Sequence, residues 1–188
     1  MRTAAERVAD VRRLLLAARA VHAGRERLAP AVAASTGLSP QGVELGFDSL
    51  EQDATDAQLG SLVAGAGDAP HVHVVLSANV FVAPLRALVL ARAASSSVSV
   101  RPSPRDPVLT RALVAAAGDP AIVVTGERDV SRTPRGEVHV YGRDATIAAV
   151  RAEVPPGVTV RGHGAGMGVA VVSAACDAEV AARALAVD

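Results

Sequence analysis

The feature of this chain that most constrains its fold is a repeated change of period after residue 70. Short valine-rich stretches typical of buried strands are mostly separated by segments whose apolar residues recur at helical spacing. The pattern predicts strands at residues 71–76, 97–100, 121–125, 137–141, 157–162 and 169–173, and helices at residues 82–94, 106–118, 144–152 and from Asp177 onward. Strands and helices that alternate in this way form right-handed crossovers around a parallel sheet. We therefore expect an α/β, Rossmann-like fold with a mostly parallel sheet flanked by helices.

The first third of the chain has a different pattern, which predicts helices and no strands. An amphipathic helix is predicted over residues 3–22, a second follows an N-cap at Ser39, and a third follows an N-cap at Thr55. The expected organisation is an all-helical N-terminal segment over residues 1–69 and an α/β domain over residues 70–188.

The composition excludes several classes of protein. Nineteen basic residues, all of them arginine, balance nineteen acidic ones, so no overall field attracts nucleic acid or an anionic membrane. One tyrosine, two phenylalanines and no tryptophan leave too few aromatic platforms for single-stranded nucleic acid. No stretch approaches the roughly 20 apolar residues that span a bilayer, and the single cysteine excludes an internal disulfide. We expect a soluble, cytoplasmic protein without a nucleic-acid partner or a membrane span.

The segment "VRGHGAGMGVAVV" at residues 160–172 carries glycines at alternate positions, but it does not match the dinucleotide-binding fingerprint. Counted from Gly162 or Gly164, the third glycine is one place out of register. The residues that follow Gly168 are predicted to form a strand, whereas a phosphate site needs the amino end of a helix. Any nucleotide must therefore be bound mainly by other loops.

Ligands of parallel sheets bind beyond the carboxyl ends of the strands, which directs attention to the loops there. In "RPSPRD", two prolines stiffen the chain and fix where Arg101, Ser103 and Arg105 point. Two guanidinium groups and a hydroxyl suit a ribose and its phosphate, and an arginine near the ribose can accept the 2′-phosphate of NADP. The alternative is that these arginines pair with Asp106 or are simply solvated.

Two further loops contain candidate site residues, and for each loop a purely structural role is an equally good explanation. In "SANV", Ser77 and Asn79 follow the first strand, and the Asn79 amide suits either an oxyanion or a helix N-cap. In "YGRD", Gly142 would let a phosphate approach the backbone, and Asp144 suits a helix cap.

The remaining reactive side chains, those of histidine and cysteine, are not predicted to form a functional site. His71, His73, His139 and His163 lie on or beside strands, but no carboxylate or cysteine joins them at metal-ligand spacing, so no metal site is predicted. Cys176 lacks a recognisable base and is predicted to be a small buried core residue.

Taken together and in order, "NVFVAPLRALVLARAASSSVSVRPSPRDP", "VHVYGRDATIAAVR" and "VRGHGAGMGVAVV" resemble the aldehyde dehydrogenase superfamily over about residues 70–188. More narrowly, they are similar to the bacterial long-chain acyl-CoA reductases of the luminescence type. The resemblance implies a cofactor, NADP or NAD, and a catalytic, oxyanion-stabilising role for Asn79. The cofactor-binding residues that it implies, together with those of the loops above, are Ser77, Arg101, Pro102, Ser103, Arg105, Gly142 and Arg143.

Two departures limit what the resemblance implies. Gly162-His163-Gly164 stands where most aldehyde dehydrogenases carry a Glu-Leu-Gly-Gly segment, so the general-base glutamate is absent. The family's nucleophilic cysteine follows the helix that begins at Asp177, and Cys176 does not match that motif. We therefore expect a truncated, cofactor-binding portion of an NAD(P)H-dependent oxidoreductase, inactive alone, which acts on acyl-CoA or an aldehyde only with a completing catalytic domain. The alternative is a non-catalytic α/β interaction module or split subunit that forms a homo- or hetero-oligomer.

Overall fold

Five of the six strands predicted after residue 70 form one all-parallel sheet in a computed structural model of the chain. The structure describes residues 2–78, 80–126, 130–133, 135–164, 171–173 and 175–187. The strands are β1 Val72–Val75, β2 Val98–Arg101, β3 Ile122–Val124, β4 Glu137–Tyr141 and β5 Thr159–His163. Their order in the sheet is β3-β2-β1-β4-β5. The predicted α/β, Rossmann-like class is confirmed.

The helices surround this sheet and include the predicted N-terminal ones. They are α1 Ala4–Ala23, α2 Arg25–Thr36, α3 Pro40–Asp48, α4 Asp56–Gly65, α5 Ala83–Ala94, α6 Val108–Ala117, α7 Asp144–Glu153 and α8 Ala178–Val187. The hydroxyl groups of Thr3, Ser39 and Thr55 cap α1, α3 and α4 by accepting a hydrogen bond from the amide three residues on. Among the described residues, no helix combines the length and apolar character that crossing a bilayer requires.

Two elements differ from the sequence-based expectation. Helix α2 was not predicted, because Pro30 lies inside it and Val32 is its one fully buried residue, although Leu28, Ala29 and Ala33 pack against the core beside Val32. The strand predicted at residues 169–173 is wrong for its described part: residues 171–173 are not in a strand, and Val171 is 92% exposed. An apolar run of this kind forms a strand only where a neighbouring strand pairs with it, and within the described chain β5 is the edge of the sheet.

The two faces of the sheet are covered by different helices. Helices α1, α5 and α6 lie over β1, β2 and β3, and their contact is built from small side chains such as Ala17, Ala87 and Ala91. Helix α7 and a 3₁₀ turn, Val130–Arg132, cover the opposite face at β4 and β5. The helical N-terminal segment shares one hydrophobic core with the sheet, and the division at residue 69 into two domains stays a prediction.

A buried ion-pair cluster ties the N-terminal segment to the sheet. Arg92 on α5 is 4% exposed and contacts Asp119 at 2.8 Å and Asp10 on α1 at 2.9 Å. Burial alone would raise the pKa of Asp119, but the Ala121 amide and the Arg92 guanidinium outweigh burial and lower it. The cluster therefore joins α1, α5 and the turn before β3. Removal of one partner would leave a buried charge unpaired, which is costly.

Glycines at the end of β5 let α7 approach the sheet closely. A Cβ atom at Gly162 would lie 2.7 Å from Cγ2 of Ile147, and one at Gly164 would lie 2.5 Å from a carboxylate oxygen of Asp144. Part of the glycine-rich segment therefore provides room for a helix, which agrees with its failure to match the dinucleotide fingerprint.

The Gly162→Ala variant is expected to lose about 1–3 kcal/mol of unfolding free energy, because the added methyl group overlaps Ile147. Urea unfolding followed by circular dichroism measures this loss. Gly142→Ala is the matched control and is expected to change stability by less than about 0.5 kcal/mol, since its Cβ would meet Thr146 only at 3.7 Å. Equal unfolding midpoints for Gly162→Ala and the parent chain would contradict the close approach of α7.

Candidate functional site

The strand order creates a crevice at the carboxyl edge of the sheet. Strands β1 and β4 are neighbours, but β1 leads into α5 on one face and β4 leads into α7 on the other. The two loops therefore diverge at the edge between them. Such a topological switch point is where open α/β sheets bind their ligands.

The predicted site residues lie at this edge, with one outside the described residues. Arg101 ends β2 in register with Val75 of β1, and its carbonyl accepts a hydrogen bond of 3.0 Å from the Leu76 amide. Ser77 follows β1, and Pro102, Ser103 and Arg105 continue from β2. Gly142 and Arg143 follow β4. Asn79 lies outside the described residues, so its predicted role stays a prediction.

The proline-containing loop after β2 is anchored by buried polar groups. Ser103 is 7% exposed, and its hydroxyl accepts a hydrogen bond of 3.3 Å from the Arg105 amide. Asp106 is equally buried, and its carboxylate accepts from the Ser35 hydroxyl of α2 at 3.1 Å. Burial raises the pKa of Asp106 despite bonds from Ser35 and the Val108 amide. Among the described residues, Asp106 is held by these groups and not by an arginine. The alternative in which Arg101 or Arg105 pairs with Asp106 is therefore not supported.

A cleft of about 460 Å³ opens on the α7 face next to this loop. One wall is α7, and the other is formed by the ends of β1 and β2 with the 3₁₀ turn. The lining residues are Val75, Arg101, Val130, Thr146, Ala149, Val150 and Glu153. Among them, Arg101 and Glu153 are the ionisable residues, and the remainder offer apolar surface and one hydroxyl.

Sequence reasoning found Arg101 but missed the α7 side of the cleft. Thr146, Ala149 and Glu153 recur at intervals of three and four, so they share one face of the helix and are all exposed. This spacing was a signal in the sequence, but only the position of α7 against β2 reveals that the stripe lines a cleft. The helix would otherwise be taken for an ordinary amphipathic one.

The amino end of α7 lies at the carboxyl edge of the sheet, and no side chain caps it among the described residues. Arg143 is the N-cap and makes no side-chain hydrogen bond to the helix, so Asp144 is not the cap that one reading of the sequence suggested. Gly142 has ordinary backbone geometry and room for a Cβ atom, so the fold itself does not require glycine there. Amides at a helix start and the positive end of its dipole favour an anionic group.

Polar side chains also cluster on the α5 face of β4 and β5. The rings of Tyr141 and His163 stack with centroids 4.2 Å apart, and Nε2 of His139 lies 2.9 Å from a carboxylate oxygen of Glu137. Burial raises the pKa of Tyr141 to about 12 and lowers the pKa of both histidines, so the phenol and neutral imidazoles are the stable forms at neutral pH. Glu137 is held further by two hydrogen bonds from Arg161.

The other two strand histidines bind serine hydroxyl groups. His71 contacts Ser97 and Ser99, each at 2.9 Å, and His73 contacts Ser99 at 2.7 Å. Burial lowers the pKa of His73 to about 4, with smaller contributions from His71 and Arg101. The hydrogen bonds to serine give the imidazole groups of His71 and His73 partners within the sheet, so a structural role explains both side chains.

Cys176 was predicted to be buried, and this is wrong. Its side chain is exposed in the turn before α8. The prediction relied on the usual burial of small apolar residues, but none of the described residues 175–180 is buried.

The fold is shared with solved aldehyde dehydrogenases. The chain is 18% identical to NAD-dependent benzaldehyde dehydrogenase from Corynebacterium glutamicum (TM-score 0.62), covering 87% of this chain and 42% of that one. It is 15% identical to NADP-dependent glyceraldehyde-3-phosphate dehydrogenase from Bacillus halodurans complexed with NADP (TM-score 0.62), covering 88% and 41%. It is 16% identical to a betaine aldehyde dehydrogenase double mutant from Staphylococcus aureus in complex with NAD+ (TM-score 0.62), covering 88% and 39%.

The matches cover only part of each solved structure. This chain spans about two fifths of the length of each of the three structures. No family model and no curated protein matches the sequence. At this level of identity the comparisons establish the fold alone.

The buried His73 predicts a loss of stability as the pH falls. Its pKa is about 4 in the folded chain and about 6.5 when unfolded, so between these values only the unfolded state takes up the proton. Stability is fully present above pH 6.5 and falls toward pH 4, by about 2 kcal/mol at pH 5 from this group. Urea unfolding at pH 7.5 and pH 5 measures the decrease in unfolding free energy, and we expect this decrease to be smaller by about 2 kcal/mol in His73→Asn. An equal decrease in the variant and the parent chain would contradict a lowered pKa of His73.

Proposed function

We propose that this chain is the nicotinamide-dinucleotide-binding portion of an aldehyde dehydrogenase-like oxidoreductase. The observation that carries the proposal is the cleft between Arg101 and α7, which opens at the topological switch point of a fold shared with NAD- and NADP-dependent aldehyde dehydrogenases. Within that superfamily, the sequence motifs favour the bacterial acyl-CoA reductases of the luminescence type. Such enzymes reduce an acyl thioester with hydride from the cofactor.

The residues present fit the adenosine half of such a cofactor. A volume of about 460 Å³ is in the range of small-molecule sites. Val75 and Ala149 offer apolar contact to a base, and Arg101 and Glu153 offer charged partners to a ribose. The amino end of α7, which follows Gly142 and has no described side-chain cap, suits the pyrophosphate.

Each predicted residue then has a distinct task in the proposed site. Arg101 contacts the ribose, Pro102 and Ser103 fix the loop that presents it, and Arg105 adds positive charge at the exposed edge. Gly142 and Arg143 turn the chain at the pyrophosphate, and Ser77 lies on the nicotinamide side. Asn79 steadies the oxyanion of the substrate, which is an acyl-CoA or an aldehyde. The bound cofactor, NADP or NAD, supplies the hydride.

The nucleophilic cysteine is proposed to come from outside these 188 residues. Cys176 is exposed, and among the described residues its thiol contacts the Asp177 carbonyl at 3.6 Å rather than the side chain of a base. We therefore expect the chain to bind cofactor without turning over substrate when it is studied alone.

A second candidate function is an interaction module or split subunit, and the exposed C-terminal region favours it. Strand β5 is an edge strand, and the described residues of α8 are exposed or half-buried, with Val180 62% exposed. Unpaired edges and exposed apolar side chains promote association with another chain. This function is compatible with the first, because a cofactor-binding portion would join its catalytic portion through such surfaces.

Titration calorimetry of the full chain with NADH and NADPH tests the proposed function. We expect binding of at least one of them, weakened about tenfold or more in Arg101→Gln, because a charged hydrogen bond to the ligand is lost. Arg27→Gln is the matched control: Arg27 is an exposed arginine on α2, away from the sheet edge, and its loss should leave binding unchanged. Folded protein that produces no heat with millimolar NADH or NADPH would contradict the proposal.

A further inference from the structure

We propose that Ser35 of α2 is a positioning residue for nucleotide binding, because it holds the buried carboxylate of Asp106 and thereby fixes the loop at residues 102–106. This inference rests on the proposed function, in which that loop borders the dinucleotide. Ser35 and Asp106 are 71 residues apart in the chain. The inference therefore gives the helical N-terminal segment a task at the candidate site, which the motifs of the loop do not indicate.

Asp106 attaches the loop to two helices. Its carboxylate accepts a hydrogen bond of 3.1 Å from the Ser35 hydroxyl of α2 and another from the amide of Val108, the first residue of α6. An amide in the first turn of a helix has no partner within that helix, and Pro107 provides no side-chain cap for α6. The buried carboxylate thus joins α2, the loop and α6 at one point.

The rest of the loop is tied to Asp106 through its backbone. The Asp106 amide donates to the Ser103 carbonyl at 3.1 Å, and the Arg105 amide donates to the Ser103 hydroxyl at 3.3 Å. Ser103 and Asp106 are buried, whereas Pro104 and Arg105 between them are exposed. A turn this short, stiffened by proline, moves as a unit with Asp106. The contacts of the Asp106 side chain therefore set the position of the turn.

The Ser35 hydroxyl serves the loop rather than its own helix. It also lies 3.1 Å from the Val32 carbonyl, but the hydroxyl of the neighbouring Thr36 donates to that carbonyl at 2.7 Å. Ser35 has a single hydroxyl hydrogen, for which an ionised carboxylate is the stronger acceptor. Loss of this donor would leave a buried carboxylate oxygen without a partner, which is costly. The loop can relieve that cost by moving outward until water solvates Asp106.

Titration calorimetry of the full chain with NADH and NADPH tests the inference. We expect Ser35→Ala to weaken binding about three- to tenfold, the effect of one hydrogen bond that orders a binding loop. Ser35→Thr keeps the hydroxyl and should bind as the parent chain does. Thr36→Ala is the matched control: it removes the neighbouring hydroxyl, whose described partners are the Val32 carbonyl and the Leu38 amide, and it should leave binding unchanged.

Two further measurements locate the effect in the loop. Hydrogen exchange of the Arg105 and Asp106 amides should become faster in Ser35→Ala but not in Thr36→Ala, because both amides are bonded to Ser103. In the double variant Ser35→Ala/Asp106→Ala, the loss of affinity should equal that of Asp106→Ala alone, because both substitutions break the same hydrogen bond.

The outcomes separate this inference from the proposed function. Unchanged binding or unchanged amide exchange in Ser35→Ala, an equal loss of affinity in Thr36→Ala or Ser35→Thr, or losses that multiply in the double variant would overturn the role of Ser35 while the proposed function stands. Absence of binding by the folded parent chain would overturn the proposed function, and the inference with it. Circular dichroism checks the fold of each variant, and the Ser35 and Thr36 variants decide the question even if Asp106→Ala does not fold.

Discussion

The reversal of strand order between β1 and β4 is the constraint on which the candidate site depends. The chain builds β1, β2 and β3 outward in one direction, and then returns to place β4 on the other side of β1. Crossovers between parallel strands keep one hand, so growth in the opposite direction puts α7 on the opposite face from α5 and α6. The cleft beside Arg101 exists because, in the part of the chain that the structure describes, no crossover helix fills the space between the two groups.

Small side chains make this arrangement close enough to form a defined cleft. Alanines lie among leucines where α1, α5 and α6 pack together, and glycines at the end of β5 let α7 lie directly on the sheet. A core built from small residues brings backbones together but offers less apolar area per residue than one rich in aromatics. The buried contacts of Arg92 with Asp10 and Asp119 add directional bonds to such a core, and they fix how α1 sits on α5.

The sequence predicted the elements of the fold better than the arrangement of the site. Capping at Ser39 and Thr55 and the valine-rich strands are local signals, and apart from the strand at residues 169–173 these features appear where they were predicted. Helix α2 lacked such a signal because of Pro30, and residues 171–173 carried a strand pattern without a partner strand. The exposure of Cys176 and the anchoring of Asp106 by Ser35 depend on contacts distant in sequence, which periodicity does not contain.

The same distinction explains why the edge loops could be identified but the cleft could not. A parallel sheet brings the carboxyl ends of its strands to one edge, so the loops that carry Arg101 and Gly142 were expected at the same edge from topology alone. The other wall of the cleft consists of exposed residues of α7, and Thr146 and Glu153 resemble any solvated helical face in the sequence. A site in which a helix side supplies half of the lining leaves no compact motif, since its residues recur at helical spacing rather than in one loop. A nucleotide site of the proposed kind would need no glycine fingerprint, because the amino end of α7 would supply the backbone amides and the glycines of β5 serve the packing of the helix.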